Sequence, residues 1–181
     1  RVPTCYSEYV FTPAAAYPGP GAAPIAAPSN DEIAGAEVLP VNPSLCAPGD
    51  LCNLYRTSNF ASATAGIPVC GAAIPGTPDD DVWFSFNAND ANTTVRVISG
   101  TNYDAVVQLL DATGTTSLFC VNATGNGFIE TLNATGLTPG SDYLVRVYGA
   151  ALGTPAGSRN DFAICVTATP APPANDECAG A

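Results

Sequence analysis

Short apolar runs separated by turn residues make up most of the chain. Runs rich in Val, Ile, Thr, Tyr and Phe recur between clusters of Gly, Pro, Asn and Asp, and none has the period of an amphipathic helix. Within one such run Val82, Phe84 and Phe86 share a face, as the two-residue period of a strand requires, and in a later run Arg146 is predicted to point outward. The predicted strands are residues 81–87, 93–99, 104–111, 117–122, 128–133, 142–149 and 161–167.

Seven or more such strands with frequent turns predict an all-β fold, a β-sandwich of the jelly-roll or immunoglobulin-like kind. Residues 137–143, LTPGSDY, have the form of a tyrosine corner, in which a Pro-Gly turn leads into a strand and the tyrosine hydroxyl bonds upstream backbone. Tyr143 is therefore interpreted as structural. Trp83, a lone Trp within a strand, is interpreted as a packing residue in preference to a sugar-stacking one.

Proline-rich tracts divide the chain into three parts. Residues 12–28 are rich in Pro and Ala, and proline fixes an extended backbone without internal hydrogen bonds. We therefore predict an extended arm over residues 1–28 and a sandwich domain over residues 29–168. A second Pro-rich tract opens residues 169–181, predicted to be a linker followed by the start of a next repeat or a docking tail.

Charge and composition exclude several classes of function. All five basic residues are Arg, there is no His, and the formal net charge is −11. Catalytic pairs that use His, imidazole metal sites and lysine Schiff bases are therefore ruled out. The negative charge argues against nucleic-acid partners, and no apolar run is long enough for membrane insertion.

Seven cysteines without a CxxC motif indicate disulfides formed in an oxidising compartment. The chain starts at Arg1 with no apolar signal core, which is the pattern expected of a processed, secreted protein. Some cysteines fall on or beside predicted core strands, where a bridge between sheets is plausible: Cys70, Cys120 and Cys165. Others lie outside them: Cys46 and Cys52, which bound a short loop and could close on each other, and Cys5 and Cys178 near the two ends. The odd count leaves at least one cysteine free or bonded to another chain.

A seven-residue sequence occurs twice. Residues 30–36, NDEIAGA, return as residues 175–181, NDECAGA, with six identities, and a proline lies two residues upstream of each copy, at Pro28 and Pro173. Two interpretations remain open. Either the chain is part of a longer tandem array, or its tail docks on another subunit by adding a strand or a disulfide through Cys178, with Cys5 of a neighbour as the mate.

Several motifs follow one another along the chain: the NDExAGA opening, GIPVCG (66–71), DDVWFSF (80–86), YDAVVQLLDA (103–112), LFCVNATGNG (118–127), LTPGSDYLVRVYG (137–149) and FAICVTA (162–168). In this order they resemble the secreted pre-peptidase C-terminal type of β-sandwich repeat. The resemblance covers the chain from Ser29 onward and departs at Ile33, where the family opening usually has a cysteine. It implies a non-catalytic module appended in tandem to secreted enzymes, adhesins and other surface proteins.

Calcium is the candidate cofactor, because calcium prefers oxygen ligands in flexible geometry. In related modules the opening linker and a sandwich loop share such an ion, and the resemblance therefore implies as ligands Asn30, Asp31, Glu32, Asp79 and Asp80. The alternative is that these residues are solvated turn formers and caps. Asp104 and Asp111 bracket a strand and are interpreted as its ends.

The remaining chemistry is limited. Three glycosylation sequons begin at Asn92, Asn122 and Asn133, and each predicts a surface position in a secreted protein. No pair of carboxylates is selected for glycoside hydrolysis, and Glu130 is interpreted as a solvated strand residue. The protein is therefore not expected to be an enzyme.

Together these features predict a structural subunit or tandem repeat module of an extracellular fibre or surface adhesin. Its expected partners are copies of itself, joined head to tail through the arm and through the tail residues Asn175, Asp176, Glu177, Cys178, Ala179, Gly180 and Ala181. The alternative is a carbohydrate- or calcium-binding accessory domain of a secreted hydrolase.

Overall fold

A computed structural model describes residues 28–42, 53–57, 66–71, 74, 76, 78, 80–100, 103–151 and 160–168. These residues form ten strands and one short 3-10 helix, Ile33–Gly35, and include no α-helix. The strands are β1 Glu37–Val38, β2 Val41–Asn42, β3 Asn53–Thr57, β4 Val82–Asn87, β5 Thr93–Ser99, β6 Ala105–Asp111, β7 Ser117–Val121, β8 Ile129–Ala134, β9 Asp142–Gly149 and β10 Asn160–Ala168.

The first sheet has the strand order β1-β4-β9-β6-β7. Its three central strands pair in antiparallel fashion, with Phe84 opposite Val145 and Leu109 opposite Val145 on the other side. The short strand β1 is parallel to β4, with Glu37 opposite Phe84. The segment that opens the domain therefore forms one edge of this sheet, and β7 forms the other.

The second sheet has the order β2-β10-β5-β8, and β3 also pairs with β10. Strands β10, β5 and β8 are antiparallel neighbours. Both β2 and β3 lie against β10, β3 at residues 160–164 and β2 at Val166 and Thr167. The edge of the sheet is thus shared by two short strands that follow one another in sequence.

A single apolar core lies between the two sheets, which confirms the predicted all-β sandwich. Strand β5 shows why the chain folds this way, because its residues alternate between buried and half-buried positions along its whole length. Edge-to-face and stacked aromatic contacts fill the centre, with Phe162 packed against both Phe84 and Tyr103. The fully buried members of the core include Val82, Phe84, Phe86, Leu109, Val145, Phe162 and Ile164.

The first sheet is buried on both of its faces. In β6 and β9 almost every residue is buried, including those that point away from the core. Two segments cover this outer face, residues 28–36 and residues 66–71 together with Ile74, and we call them the outer cover. Ile33, Ala36, Ile67 and Ile74 of the outer cover pack against the sheet.

The tyrosine corner predicted at residues 137–143 is present. The backbone N–H of Thr138 donates to Tyr143 Oη at 2.9 Å, and Gly140 adopts a positive φ of 84° in the turn between them. The ring of Tyr143 stacks on Phe86 with centroids 5.9 Å apart. Tyr143 is therefore a structural residue, as predicted.

Candidate functional site

The opening motif of the domain lies along the edge of β4. Trp83 donates its backbone N–H to Asn30 O at 2.8 Å, and Asn30 Nδ2 donates to Trp83 O at 3.1 Å. Asn30 is only 4% exposed. Further along, Leu39 N donates to Ser85 O, so the backbone contact with β4 extends on both sides of β1. One asparagine thus satisfies both backbone groups of Trp83, as a neighbouring strand would.

Between Asn30 and β1 the chain makes a tight turn. Gly35 N donates to Glu32 O at 2.8 Å and Ala36 N donates to Ile33 O at 3.0 Å. A Cβ atom at Gly35 would lie 2.1 Å from Ser29 O, so a side chain at this position requires the backbone to move. The glycine of the repeated heptad is therefore needed for the fold of the turn.

The apolar positions of the heptad face the outer surface of the first sheet. Ile33 and Ala36 pack against a buried cluster formed by Trp83, Leu110 and Leu144. Ile33 also reaches the turn between β6 and β7, where a Cβ atom added to Gly114 would lie 2.9 Å from Ile33 Cδ1. The heptad is therefore held both by backbone hydrogen bonds and by apolar contact.

A buried ion pair lies on the same outer face. Arg146 Nε donates to Asp81 Oδ2 at 2.5 Å, and the guanidinium carbon lies 5.3 Å from the Trp83 ring centroid and 5.6 Å from that of Tyr148. Arg146 points away from the core, as predicted, and the outer cover buries it, so that it is only 1% exposed. Burial raises the pKa of Tyr148 above its ordinary value, with the positive charge of Arg146 opposing the shift.

A disulfide fixes the outer cover to the first sheet. Cys70 in the cover is bonded to Cys120 on β7. Beside it Gln108, which is fully buried, donates through Nε2 to Pro68 O at 2.7 Å and to Ser117 Oγ at 3.0 Å. The expectation of a bridge between the sheets is therefore wrong for Cys70 and Cys120, because Cys120 lies opposite Gln108 on the outer face.

The residues proposed as calcium ligands have different surroundings in the structure. Asn30 is bonded to the Trp83 backbone, whereas Asp80 is 2% exposed and its Oδ1 accepts a hydrogen bond from Gly149 N at 2.9 Å. Glu32 is exposed, and Asp79 lies outside the described residues. In the part of the chain that the structure describes, no three carboxylate or thiol side chains are grouped closely enough to hold a metal ion. The calcium site stays a prediction.

Glu130 is a buried residue, and its interpretation as a solvated strand residue is wrong. It is 1% exposed, and its carboxylate accepts hydrogen bonds from Ala123 N at 2.8 Å, from Thr124 N at 2.7 Å and from Thr124 Oγ1. This carboxylate closes the loop between β7 and β8. Burial, and secondly the negative charge of Glu130, raise the pKa of Asp104 above 3.8.

Asp111 ends strand β6, as predicted, and organises the turn that follows. Its Oδ1 accepts from Thr115 N at 3.0 Å and from Thr116 N at 3.1 Å, and its Oδ2 accepts from Thr113 Oγ1 at 3.0 Å. The bonds from the Thr116 backbone, the Thr113 hydroxyl and the Thr115 backbone hold the pKa of Asp111 below its ordinary value. The carboxylate therefore serves the fold of the turn that contacts Ile33.

All three glycosylation sequons lie in the described region and have accessible asparagines. Asn92 and Asn133 are exposed and Asn122 is half-buried. Two of them are close neighbours, because Thr94 of the Asn92 sequon lies opposite Asn133 and donates to its Oδ1 at 3.0 Å. The positions meet the requirement for modification, and glycosylation itself stays a prediction.

Several predicted residues lie outside the described residues. They are Cys5, Cys46, Cys52 and Cys178, together with the tail heptad at residues 175–181 and the arm over residues 1–27. Cys165 on β10 is disulfide-bonded. Within the described ranges no helix has the length and hydropathy needed to cross a membrane.

No protein-family model matches the chain, and no curated protein matches it either. Solved structures with a similar fold include the pre-peptidase C-terminal domain of a collagenase from Bacillus anthracis, at 12% identity, covering 72% of this chain and 93% of that domain with a TM-score of 0.41. A second is a carbohydrate-binding module, CBM36, solved with calcium and xylotriose, at 21% identity, covering 63% of this chain and 98% of that module with a TM-score of 0.31. The first of these belongs to the family that the sequence motifs resemble.

Sequence reasoning missed the outer cover and the residues beneath it. The available signal was the apolar character of residues 105–110, in which only Gln108 is polar, since a strand buried on both faces lacks polar alternation. Asp81 and Arg146 gave no such signal, because a charged residue beside a strand usually lies in solvent.

Proposed function

We propose that this chain is a non-catalytic module of a secreted or surface protein, and that it is joined lengthwise to copies of itself through its ends. The observation that carries the proposal is the contact between the opening heptad and β4. The first copy of a repeated sequence is an edge element of the sandwich, held by Asn30, Gly35 and Ile33. A sequence that forms a sheet edge in one place is suited to form one in another.

The disposition of the carboxylates supports a structural role. Asp80, Asp81, Asp111 and Glu130 each accept hydrogen bonds from backbone or side chains of the sandwich itself. Such groups stabilise loops and strand ends. The chain thus uses its acids to hold an irregular β-structure together.

The disulfides support an extracellular setting. Cys70 is bonded to Cys120, and Cys165 is bonded as well. Structural disulfides persist in oxidising compartments, and the accessible sequons fit the same setting. The similar solved domains come from a collagenase and a carbohydrate-binding module, which fits an accessory or structural domain of a secreted protein.

The test is the state of association of the native chain. We expect electron micrographs and sedimentation velocity to show end-to-end assemblies that lengthen with protein concentration. Electrophoresis without reductant shows whether part of the assembly is covalent, through Cys5 and Cys178. A single monomeric species at every concentration, with and without reductant, would contradict the proposal.

Glycan binding is the second candidate function, and one observation favours it. Phe128 is 65% exposed in the loop between β7 and β8, and it is the one aromatic side chain among the exposed large hydrophobic residues of the described region. Trp83, in contrast, is fully buried and is excluded as a stacking platform. Binding of the chain to immobilised polysaccharides, lost in Phe128→Ala and unaffected by reductant, would support this alternative.

A further inference from the structure

The repeated heptad has a defined binding surface in this molecule. Residues 30–36 lie on the edge of β4 and over the cluster of Trp83, Leu110 and Leu144. We call this surface the heptad site. It is built from backbone groups of β4 and from apolar side chains of three neighbouring strands. It therefore recognises a short segment that forms a tight turn and carries one amide side chain and apolar residues.

The identities between the two heptads include the positions that the site recognises. Asn175 corresponds to Asn30, which bonds both backbone groups of Trp83. Gly180 corresponds to Gly35, where a Cβ would collide with Ser29 O. Ala181 corresponds to Ala36, which packs on the apolar cluster.

The flanking residues also match. Asp31 N donates to Pro28 O at 3.1 Å at the start of the turn, and the tail has Asp176 and Pro173 at the corresponding places. Within the heptad the one difference is Cys178 in place of Ile33, and outside it Ala174 stands in place of Ser29. A thiol is smaller than the Ile side chain and is apolar enough to lie against the same cluster.

We propose that the tail heptad of one chain binds the heptad site of a second copy, in exchange for that copy's own residues 30–36. This inference rests on the proposed function and names the contact that joins the copies. Asn175 then bonds the Trp83 backbone of the neighbour, and Cys178 takes the place of Ile33. The contact is heterologous, because a tail meets an edge strand, so it extends from copy to copy.

The charge of the two partners predicts how this contact depends on salt. The tail heptad carries Asp176 and Glu177, and the whole chain has a formal net charge of −11. Screening reduces repulsion between like charges, so binding strengthens as ionic strength rises. A contact driven by opposite charges would instead weaken as ionic strength rises.

The experiment measures binding of a fluorescent peptide of residues 171–181, carrying Cys178→Ser to prevent disulfide exchange. The receptor is the full chain with Asn30→Ala, which weakens the resident heptad by removing its amide bond to Trp83. We expect saturable binding by fluorescence anisotropy, and at least about tenfold weaker binding to the native chain, whose heptad site is occupied. If Asn30→Ala does not fold by circular dichroism, Ile33→Ala provides the weakened receptor.

Two variant peptides make the test specific. Asn175→Ala removes the amide that would bond Trp83, and we expect affinity to fall about tenfold or more. Ala179→Ser is the matched control, because its counterpart Ala34 is exposed in the resident heptad, and we expect no change. Equal binding of the Asn175→Ala peptide and its parent, or no binding to a folded receptor, overturns the inference.

One outcome separates this inference from the proposed function. If full chains with Asn175→Ala assemble end to end as the native chain does, copies are joined by another contact and only the tail exchange is excluded. If the native chain does not assemble at all, the proposed function itself is contradicted.

Discussion

Arg146 and Asp81 form an ion pair beneath the outer cover, with Nε and Oδ2 separated by 2.5 Å and the side chains 1% and 0% exposed. The two residues are 65 positions apart in sequence. Asp81 directly precedes β4, and Arg146 lies on the neighbouring strand β9, opposite Trp83. The guanidinium also contacts the faces of Trp83 and Tyr148. Folding therefore buries both charges together, and removal of either one leaves the other buried without this partner.

We predict that Arg146→Met destabilises the protein by about 3–5 kcal/mol, since it leaves the buried Asp81 without its guanidinium partner. The double variant Asp81→Leu with Arg146→Met removes both charges and is expected to recover a large part of this loss. Denaturant unfolding measures both. A double variant less stable than Arg146→Met alone would show that Asp81 contributes independently of the pair.

The tyrosine corner gives a second prediction. Tyr143→Phe keeps the ring that stacks on Phe86 and removes only the hydroxyl that accepts from Thr138 N. We expect a loss of about 0.5–1.5 kcal/mol in the free energy of unfolding. The control is Thr138→Ala, which leaves the backbone donor in place and is expected to change stability little. A loss in Thr138→Ala as large as that in Tyr143→Phe would contradict the expectation that the Thr138 backbone, and not its side chain, stabilises the corner.

The strands of the sandwich could be read from local pattern to within one residue at most ends. Strand β5 at 93–99 and strand β9 at 142–149 have the predicted bounds, because each alternates apolar and polar residues or joins a recognisable turn. Strand β3, Asn53–Thr57, was not predicted. Its sequence NLYRT has no clear alternation, and its strand conformation depends on pairing with β10 more than one hundred residues away.

The motif that forms the candidate site could be predicted from the sequence, but the contacts that the motif makes could not. The repeat of NDExAGA singled out residues 30–36, but no local rule indicates that Asn30 bonds the backbone of Trp83. Long-range burial likewise reversed the interpretation of Glu130 as a solvated residue. It also leaves Arg146 beneath a cover that no local pattern indicates. Solvent exposure of a charged residue depends on which segments cover it, and that information lies elsewhere in the chain.

Asp111 provides a prediction for acid stability. Hydrogen bonds lower its pKa in the folded state, so its contribution to stability is present above the unfolded pKa and is lost as pH falls through the folded value. We expect Asp111→Asn to lower the melting temperature at neutral pH, with the difference from the native chain shrinking below about pH 4. Glu37→Gln, at an exposed position of β1, serves as control and is expected to have little effect at either pH. A constant difference across the pH range would contradict this account.

Asp104 is expected to behave in the opposite way. Its pKa is raised in the folded state by burial and by Glu130, and its Oδ1 has no hydrogen-bond partner among the described residues. Its ionisation therefore costs stability as pH rises from the unfolded pKa through the folded one. Asp104→Asn is predicted to raise the melting temperature at neutral pH, with the gain fading below pH 3.8. A lower melting temperature at neutral pH would show that the charged carboxylate makes a favourable contact.

The register of β10 predicts the partner of Cys165. Cys165 is disulfide-bonded, and the other two described cysteines, Cys70 and Cys120, are bonded to each other. Strand β3 pairs with β10 in antiparallel register, and the pairing ends with Ile164 opposite Asn53. Cys52 precedes Asn53 in the sequence, so continuation of this register predicts Cys52 opposite Cys165. Directly opposed residues in antiparallel strands have Cα atoms about 4.5–5.5 Å apart, within the range of a disulfide.

We therefore predict a Cys52–Cys165 disulfide, in preference to closure of Cys46 on Cys52. Proteolysis without reductant, followed by mass spectrometry, is expected to yield a linked peptide pair containing Cys52 and Cys165. Cys165→Ser is expected to lower the free energy of unfolding by about 2–5 kcal/mol and to leave Cys52 open to alkylation. A linked pair of Cys46 and Cys52 in the native chain would exclude this assignment. It would also require Cys165 to be bonded to Cys5 or Cys178, which would bring one end of the chain to the second sheet.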